Sequence, residues 1–303
     1  MLKPETTFCA LPFATLEALD ADVAILGAPH GTPYRPGEPS HAAGAPAALR
    51  GALGWYDTRR DHLDMDQGGP LLGDVVAVDL GDVPGDPADD GASNRAAIRD
   101  AVKAIRDAGA APILLGGDDS VPIPFFEGFA DEPLWIVQVD AHLDWRHEVK
   151  GVTHGFSSTM RRASEMAHVE GIVQIGARGV GSARAGELAD AEAWGARIFP
   201  MRKVHAEGLE PAIAALPEGA RVILTIDVDG LDPGLCPGVL APAFGGLGYQ
   251  QMLDLIEGLA ARGGIVGATL IEYVAGRDPA GLGAQAAARL LCNVITAIGP
   301  RKA

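Results

Sequence analysis

Short apolar, β-branched runs recur along the chain at residues 23–26, 75–78, 113–115, 135–139, 172–175, 197–199, 222–226 and 268–271. Most are apolar at consecutive positions, as expected of strands buried on both faces. Between most of them lie segments with helical spacing. In 93–108, Ala97, Ile98, Ala101, Val102 and Ile105 fall on one stripe, with Ser93 placed to cap the first turn. Segments 249–261 and 285–297 repeat that spacing, and a packing face accounts for each stripe. About eight strands alternating with helices predict an α/β chain with a mostly parallel sheet. A closed (β/α)₈ barrel satisfies the same alternation. No low-complexity linker and no internal repeat divides the chain, so residues 1–303 are expected to form a single domain.

The chemistry is written where these runs break. Residues 134–144, LWIVQVDAHLD, end an apolar run in Asp140, His142 and Asp144 at alternate positions. In extended chain such residues point to one side. Residues 221–232, RVILTIDVDGLD, end a second run in Asp227 and Asp229. Unpaired buried charge is strongly unfavourable, and a divalent cation would relieve it. A strand end fraying into a polar loop is the plain alternative for either segment alone. Together they predict one shared site at the carboxyl edge of the sheet, where open α/β sheets bind ligands. Four carboxylates and a histidine exceed the four ligands of an ordinary zinc site. They suit two cations that share bridging carboxylates, roughly 3.5–4 Å apart. After the third run comes GGDDS (116–120), whose glycines permit a tight turn. Asp118 and Asp119 reach the same edge there, as ligands or as caps of the next helix. Irregular stretches 27–40, 145–159, 229–248 and 272–283 also follow expected strands, so one rim should carry the function.

Composition narrows the partners. The chain is 48% hydrophobic and 21% charged, enough for a packed core. A formal net charge of −16 argues against nucleic acid or an anionic membrane as partner. The three cysteines, Cys9, Cys236 and Cys292, are odd in number and form no CxxC, which fits a reducing compartment; Cys236 reads as packing. With no secretory apolar segment and no run near ~20 apolar residues, a cytoplasmic protein is expected.

At this point the motifs resemble those of the ureohydrolases: arginases, agmatinases and guanidinobutyrase-like amidinohydrolases. That family reads GGDHS, DAHxD and SxDxDxxDP, against GGDDS (116–120), DAHLD (140–144) and TIDVDGLDP (225–233) here. GAPHGTPYRPG (27–37), followed by Gly44, Ala45, Pro46 and Arg50, looks like the agmatinase-type opening. VTHG (152–155) resembles the loop with the family's active-site histidine, and IEYVAGRD (271–278) the strand with its glutamate. The resemblance implies a three-layer α/β/α fold with an eight-stranded, mostly parallel sheet, assembled into trimers or hexamers. It implies two divalent ions, manganese first and nickel second. One would be held by Asp119, Asp140, Asp144 and Asp227, the other by Asp140, His142, Asp227 and Asp229. Glu272 would pair with a guanidinium, His154 would pass a proton to the leaving amine, and His30 and Trp145 would line the pocket. The implied reaction splits a C–N bond of a small cationic guanidino compound, agmatine-like or guanidinobutyrate-like, into urea and an amine. A formimino- or biguanide-type hydrolase of the same fold, and a silent subunit partnering an active homologue, are the alternatives.

Departures from the pattern carry information. Asp119 stands where the family has histidine, which would make the first ion position all-oxygen and favour manganese-like ions. CPGVLAPAFGG (236–246) replaces the family's APGTGTPxPGG. Residues 145–166 match neither the arginase nor the ordinary agmatinase substrate loop, and their Arg161 and Arg162 either meet a carboxylate tail or face solvent. The guanidino centre is therefore predicted, and the tail attached to it is left open.

Overall fold

A computed structural model describes residues 1–35, 37–56, 61–86 and 91–301. Residue 36 of the 27–37 motif and residues 87–90 lie outside the described part. The eight apolar runs become the strands of one open sheet: β1 Val23–Gly27, β2 Ala77–Asp82, β3 Ala111–Leu115, β4 Leu134–Val139, β5 Val169–Ile175, β6 Arg197–Phe199, β7 Arg221–Asp227 and β8 Gly264–Ile271. Every pairing is parallel, in the order β2-β1-β3-β8-β7-β4-β5-β6. Two free edges exclude the barrel.

The helices are α1 Ala45–Gly51, α2 Ala92–Asp107, α3 Pro122–Glu127, α4 Thr159–Ala163, α5 Ala185–Trp194, α6 Met201–Glu207, α7 Glu210–Ile213, α8 Tyr249–Arg262 and α9 Leu282–Ile298. Residues of α1, α6, α7, α8 and α9 share one apolar cluster with one sheet face, and residues of α2 to α5 share a second cluster with the other. Strand alternation sorts the side chains between them. In β4, Trp135, Val137 and Val139 join the first cluster, while Leu134 and Ile136 join the second. The result is a three-layer α/β/α fold, with α2 burying Ile98, Ala101, Val102 and Ile105 as its stripe predicts.

Two local expectations shift. Ser93 lies inside the first turn of α2, and the N-cap position belongs to Gly91 at φ 89°. A residue with that φ costs least as glycine, which decides where the helix starts. The 75–78 run becomes strand only from Ala77 and continues through Asp79 to Asp82, past its apolar part. Arg50 of α1 makes that extension tolerable. It is fully buried; its Nε and Nη2 donate to Asp79 Oδ2 and Oδ1 at 2.9 and 3.1 Å, and its Nη1 donates to Asp82 Oδ1 at 2.5 Å. Asp79 also accepts the backbone N–H groups of Phe8 and Gly81. Removing the arginine strands a buried carboxylate. Arg50→Met is expected to cost about 3–5 kcal/mol of stability in equilibrium denaturation, and an unchanged midpoint would show the pair is not needed.

Candidate metal centre

The carboxyl ends of four adjacent strands, β3, β8, β7 and β4, open into one cavity. Asp119, Glu272, Asp227, Asp229, His142 and Asp144 line it. After β3 the chain turns through Gly116 and Gly117. A Cβ on Gly117 would come within 2.1 Å of the His30 carbonyl oxygen, so only glycine passes beneath the N-terminal loop. Asp119 follows, and its backbone N–H donates to Glu272 Oε1 at 2.8 Å, joining the ends of β3 and β8. Thr159 Oγ1 donates to the Asp119 carbonyl. Asp118 turns elsewhere: it accepts from the Ser120 N–H and hydroxyl, and Ser120 Oγ accepts the Thr32 N–H at 2.7 Å. Its role is to tie down the N-terminal loop.

The ends of β4 and β7 interlock in the same manner. The His142 N–H donates to Asp140 Oδ1 at 2.5 Å, the Ala141 N–H to Asp229 Oδ1 at 3.1 Å, and the Asp229 N–H to Asp227 Oδ1 at 2.8 Å. His142 Nδ1 lies 3.1 Å from Asp229 Oδ2 and 3.3 Å from Asp140 Oδ1. Beneath the acids runs a polar tier that interrupts the apolar strands. Gln138 Nε2 donates to Asp140 Oδ2 at 2.7 Å and to Asp144 Oδ2 at 3.2 Å. Gln174, paired with Gln138 in register, donates to its Oε1 at 2.5 Å and accepts the Trp145 indole N–H at 2.8 Å. Thr225, also opposite Gln138, accepts from Thr269 Oγ1 at 2.7 Å. Each buried polar group in this tier has a partner, which fixes the rotamers of the acids above.

Two sets of ligand-capable atoms result: Asp119, Asp140 and Asp144, and Asp140, His142 and Asp229. Within each set the atoms lie no more than 4.8 Å apart, and Asp140 belongs to both. The residues fit a pair of cations on a specific observation: both Asp119 carboxylate oxygens are buried and neither has a hydrogen-bond partner. Burial, then the charges of Asp144, Asp140 and Asp227, pushes Asp119 well above the usual carboxylate range. Burial and neighbouring carboxylates likewise raise Asp140 and Asp227. Burial would raise Asp229 too, but the His142 imidazole and the Ala141 N–H bring it below its ordinary value. For His142, burial opposes the charged form, yet Asp229, Asp144 and Asp227 raise it to about 9. A site that holds protons this tightly is one prepared to exchange them for cations. Asp144 and Glu272 also adopt left-handed backbone, at φ 51° and 66°, a strain that non-glycine residues carry most often at functional sites.

The remaining expected residues are placed differently. Trp145 touches the cavity but is almost wholly buried, with its indole committed to Gln174. His154 is not among the lining residues. Its Nδ1 lies 2.9 Å from Thr153 Oγ1, and burial followed by Arg95 and Arg162 lowers its pKa. Phe156 and Ser157, just beyond His154 in the chain, do reach the cavity. His30 lines a separate cavity with Val83 and Gly85; its carbonyl lies against Gly117 and its ring against Gly85. Arg161 and Arg162 pair with Glu165, Arg161 also with Asp190, and neither lines the cavity.

Four participants lay outside the sequence expectations. His41 Nε2 lies 2.5 Å from Glu272 Oε2, and its ring packs edge-on to Phe156. It sits in irregular chain with no periodicity to flag it. Gln138 and Gln174 did leave a signal: one polar residue at the same step of two neighbouring apolar strands. Arg146 follows Trp145 onto the cavity wall.

A model of the Arginase family matches residues 21–297. The chain is 30% identical to an agmatinase of Bacillus anthracis over 84% of this chain and 83% of that one. It is 34% identical to a guanidinopropionase of Pseudomonas aeruginosa, over 73% and 71%. Among solved structures, an arginase from Medicago truncatula superposes with a TM-score of 0.78 at 27% identity, covering 92% of this chain and 87% of that one.

Crowded carboxylates should be a liability without ions. Asp119→Asn is expected to raise the melting temperature of chelator-treated protein by about 2–4 °C, on the order of 1 kcal/mol, and to shrink the further rise given by Mn²⁺. Calorimetry with and without ions checks both, and a drop in chelator would mean Asp119 is already satisfied.

Proposed function

The chain belongs to the arginase family, and on that premise we propose that it is a binuclear metal-dependent amidinohydrolase releasing urea from a small guanidino compound. The observation that carries the reading is the pair of ligand sets sharing Asp140, with the Asp119 oxygens buried and unpartnered between strands. Asp119, Asp140, Asp144 and Asp227 would hold one ion, and Asp140, His142, Asp227 and Asp229 the other. Such ions supply Lewis acidity that makes a trapped water nucleophilic near neutral pH.

The chain's own groups do the rest. Glu272 keeps its carboxylate aimed at the cavity because Asp119 N–H and His41 each hold one oxygen, at 2.8 and 2.5 Å. Each carboxylate oxygen has a further lone pair, so guanidinium N–H groups can still bind there in parallel. That contact fixes the central carbon over the acidic floor, and positioning of this kind lowers the barrier without new chemistry. For the proton that the departing amine needs, the geometry supports His41, hydrogen-bonded to Glu272 beside Phe156. Neither histidine is itself a lining residue, but His41 bonds one, Glu272, whereas the His154 ring is bonded to Thr153, which is not.

The test is urea release by purified protein loaded separately with Mn²⁺ and Ni²⁺, over a panel of guanidino compounds, with ions counted by elemental analysis. Urea and about two ions per chain are expected. Ion content well below two with no urea would mark a silent subunit; no urea from the guanidino panel but formamide and an amine from an added formimino compound would mark a formimino-type hydrolase. Glu272→Gln should lower kcat/KM by about 10²–10³-fold. His41→Asn should impair turnover more than His154→Asn, and the reverse order would return proton delivery to His154. Asp119→His should shift the retained ion from manganese toward softer metals such as zinc, read by mass spectrometry of the dialysed protein.

A further inference from the structure

The acids occupy the floor of the cavity, and the wall above them has a different character. It is formed by Trp145, Arg146, Phe156, Ser157, Leu240 and Ala241, with Ser182 and Glu187 beside them. Among the described lining residues, Arg146 is the one arginine or lysine. Its backbone N–H donates to the Ser157 carbonyl at 3.0 Å, which anchors it to the wall.

Glu187 is the one wall carboxylate that could receive a cationic tail, and it is already engaged. Its Oε1 accepts from Arg184 Nη1 at 2.6 Å, and its Oε2 accepts the Arg184 backbone N–H at 2.8 Å, closing the first turn of α5. Arg146 Nε stands 3.6 Å from Glu187 Oε1, an ion-pair separation too long for a hydrogen bond. Two guanidinium groups therefore face one carboxylate, which leaves one positive charge over. Among the described residues the terminal nitrogens of Arg146 have no hydrogen-bond partner, and about a third of its side chain is exposed while it lines the cavity. Other nearby arginines are spoken for: Arg178 donates to the carbonyls of Asp229, Leu231 and Ala243, and Arg277 to those of Val239 and Leu240.

From this charge layout we propose that the guanidino substrate carries a carboxylate at the far end of its tail, bound by the terminal nitrogens of Arg146 with the Ser157 and Ser182 hydroxyls as further donors. The inference rests on the reading of the site as a guanidino hydrolase and names the substrate class within it. The guanidinium end goes to Glu272 and the acidic floor. The methylenes lie against Phe156, Leu240 and Ala241, and the carboxylate meets a planar fork that matches it bidentately. An amine-tailed compound such as agmatine would set an ammonium against Arg146, with no free wall carboxylate to offset it.

The test compares urea release from 3-guanidinopropionate, 4-guanidinobutyrate, agmatine and L-arginine by the manganese-loaded protein and by Arg146→Gln, Arg146→Lys and Arg146→Glu. The guanidino acids are expected to be preferred. Arg146→Gln should lose about 10- to 100-fold in kcat/KM for them, mostly through KM. Arg146→Lys should restore part of that loss, and Arg146→Glu should turn the preference toward agmatine, a gain that a misfolded variant cannot show. Preference for agmatine in the unaltered protein, or indifference to Arg146→Gln, overturns the proposal while leaving the hydrolase reading intact. Calorimetric titration with 4-guanidinobutyrate separates the opposite case. If no compound yields urea, binding that Arg146→Gln abolishes upholds the carboxylate subsite, and binding that it leaves unchanged overturns it.

Discussion

Anionic side chains brought together where water is scarce repel one another, and that repulsion is the constraint around which this molecule is built. Asp119, Asp140, Asp144, Asp227 and Asp229 converge at one end of the sheet, where burial and mutual charge push three of them toward their protonated forms. Such an arrangement survives only if the surrounding structure holds it and something positive relieves it. The first requirement is met by backbone N–H groups from adjacent strand ends and by the Gln138–Gln174 tier beneath. The second is the physical basis for reading the site as a cation pair.

The fold makes that convergence inexpensive. Parallel strands all end on one side, and the order β3-β8-β7-β4 puts the four acid-bearing ends next to each other although they are far apart in sequence. The same packing brings the N-terminal loop across the top, where Gly117 leaves room for it and where Asp118 and Ser120 fasten it. His41 reaches Glu272 from that loop. At the base of the loop, Arg50 and Asp79 lock α1 to the edge of the sheet. The same Asp79 accepts an N–H from Phe8, so the N-terminal chain is held by the carboxylate that neutralises Arg50.

Charge is also divided across the cavity. Its floor is acidic and its wall bears Arg146 with an already engaged Glu187. Glu272 offers a carboxylate to a cationic group and Arg146 a guanidinium to an anionic one, so a ligand with both charges would be held end to end. No helix among the described residues is long and apolar enough to cross a membrane.

Periodicity in the chain was enough to locate the eight strands, the α2, α8 and α9 stripes and the acidic strand ends, because each is a local pattern that any packed sheet must respect. It also singled out Asp140, His142, Asp144, Asp227 and Asp229, since charge at the end of a buried apolar run has to be met by an opposite charge or a cation. Asp119 and Glu272 were legible through the motifs that hold them, GGDDS and IEYVAGRD. What stayed open depended on distance through space. The barrel and the open sheet share one alternation, and only strand order separates them. His41, Arg146 and the partners of Glu187 sit in irregular chain, where no period links sequence position to direction. His154 and His30 have motif neighbours, but the first is bonded to Thr153 and the second lines a different cavity. Local pattern determined which residues are held at the sheet's edge; packing between loops decided which of the others face them.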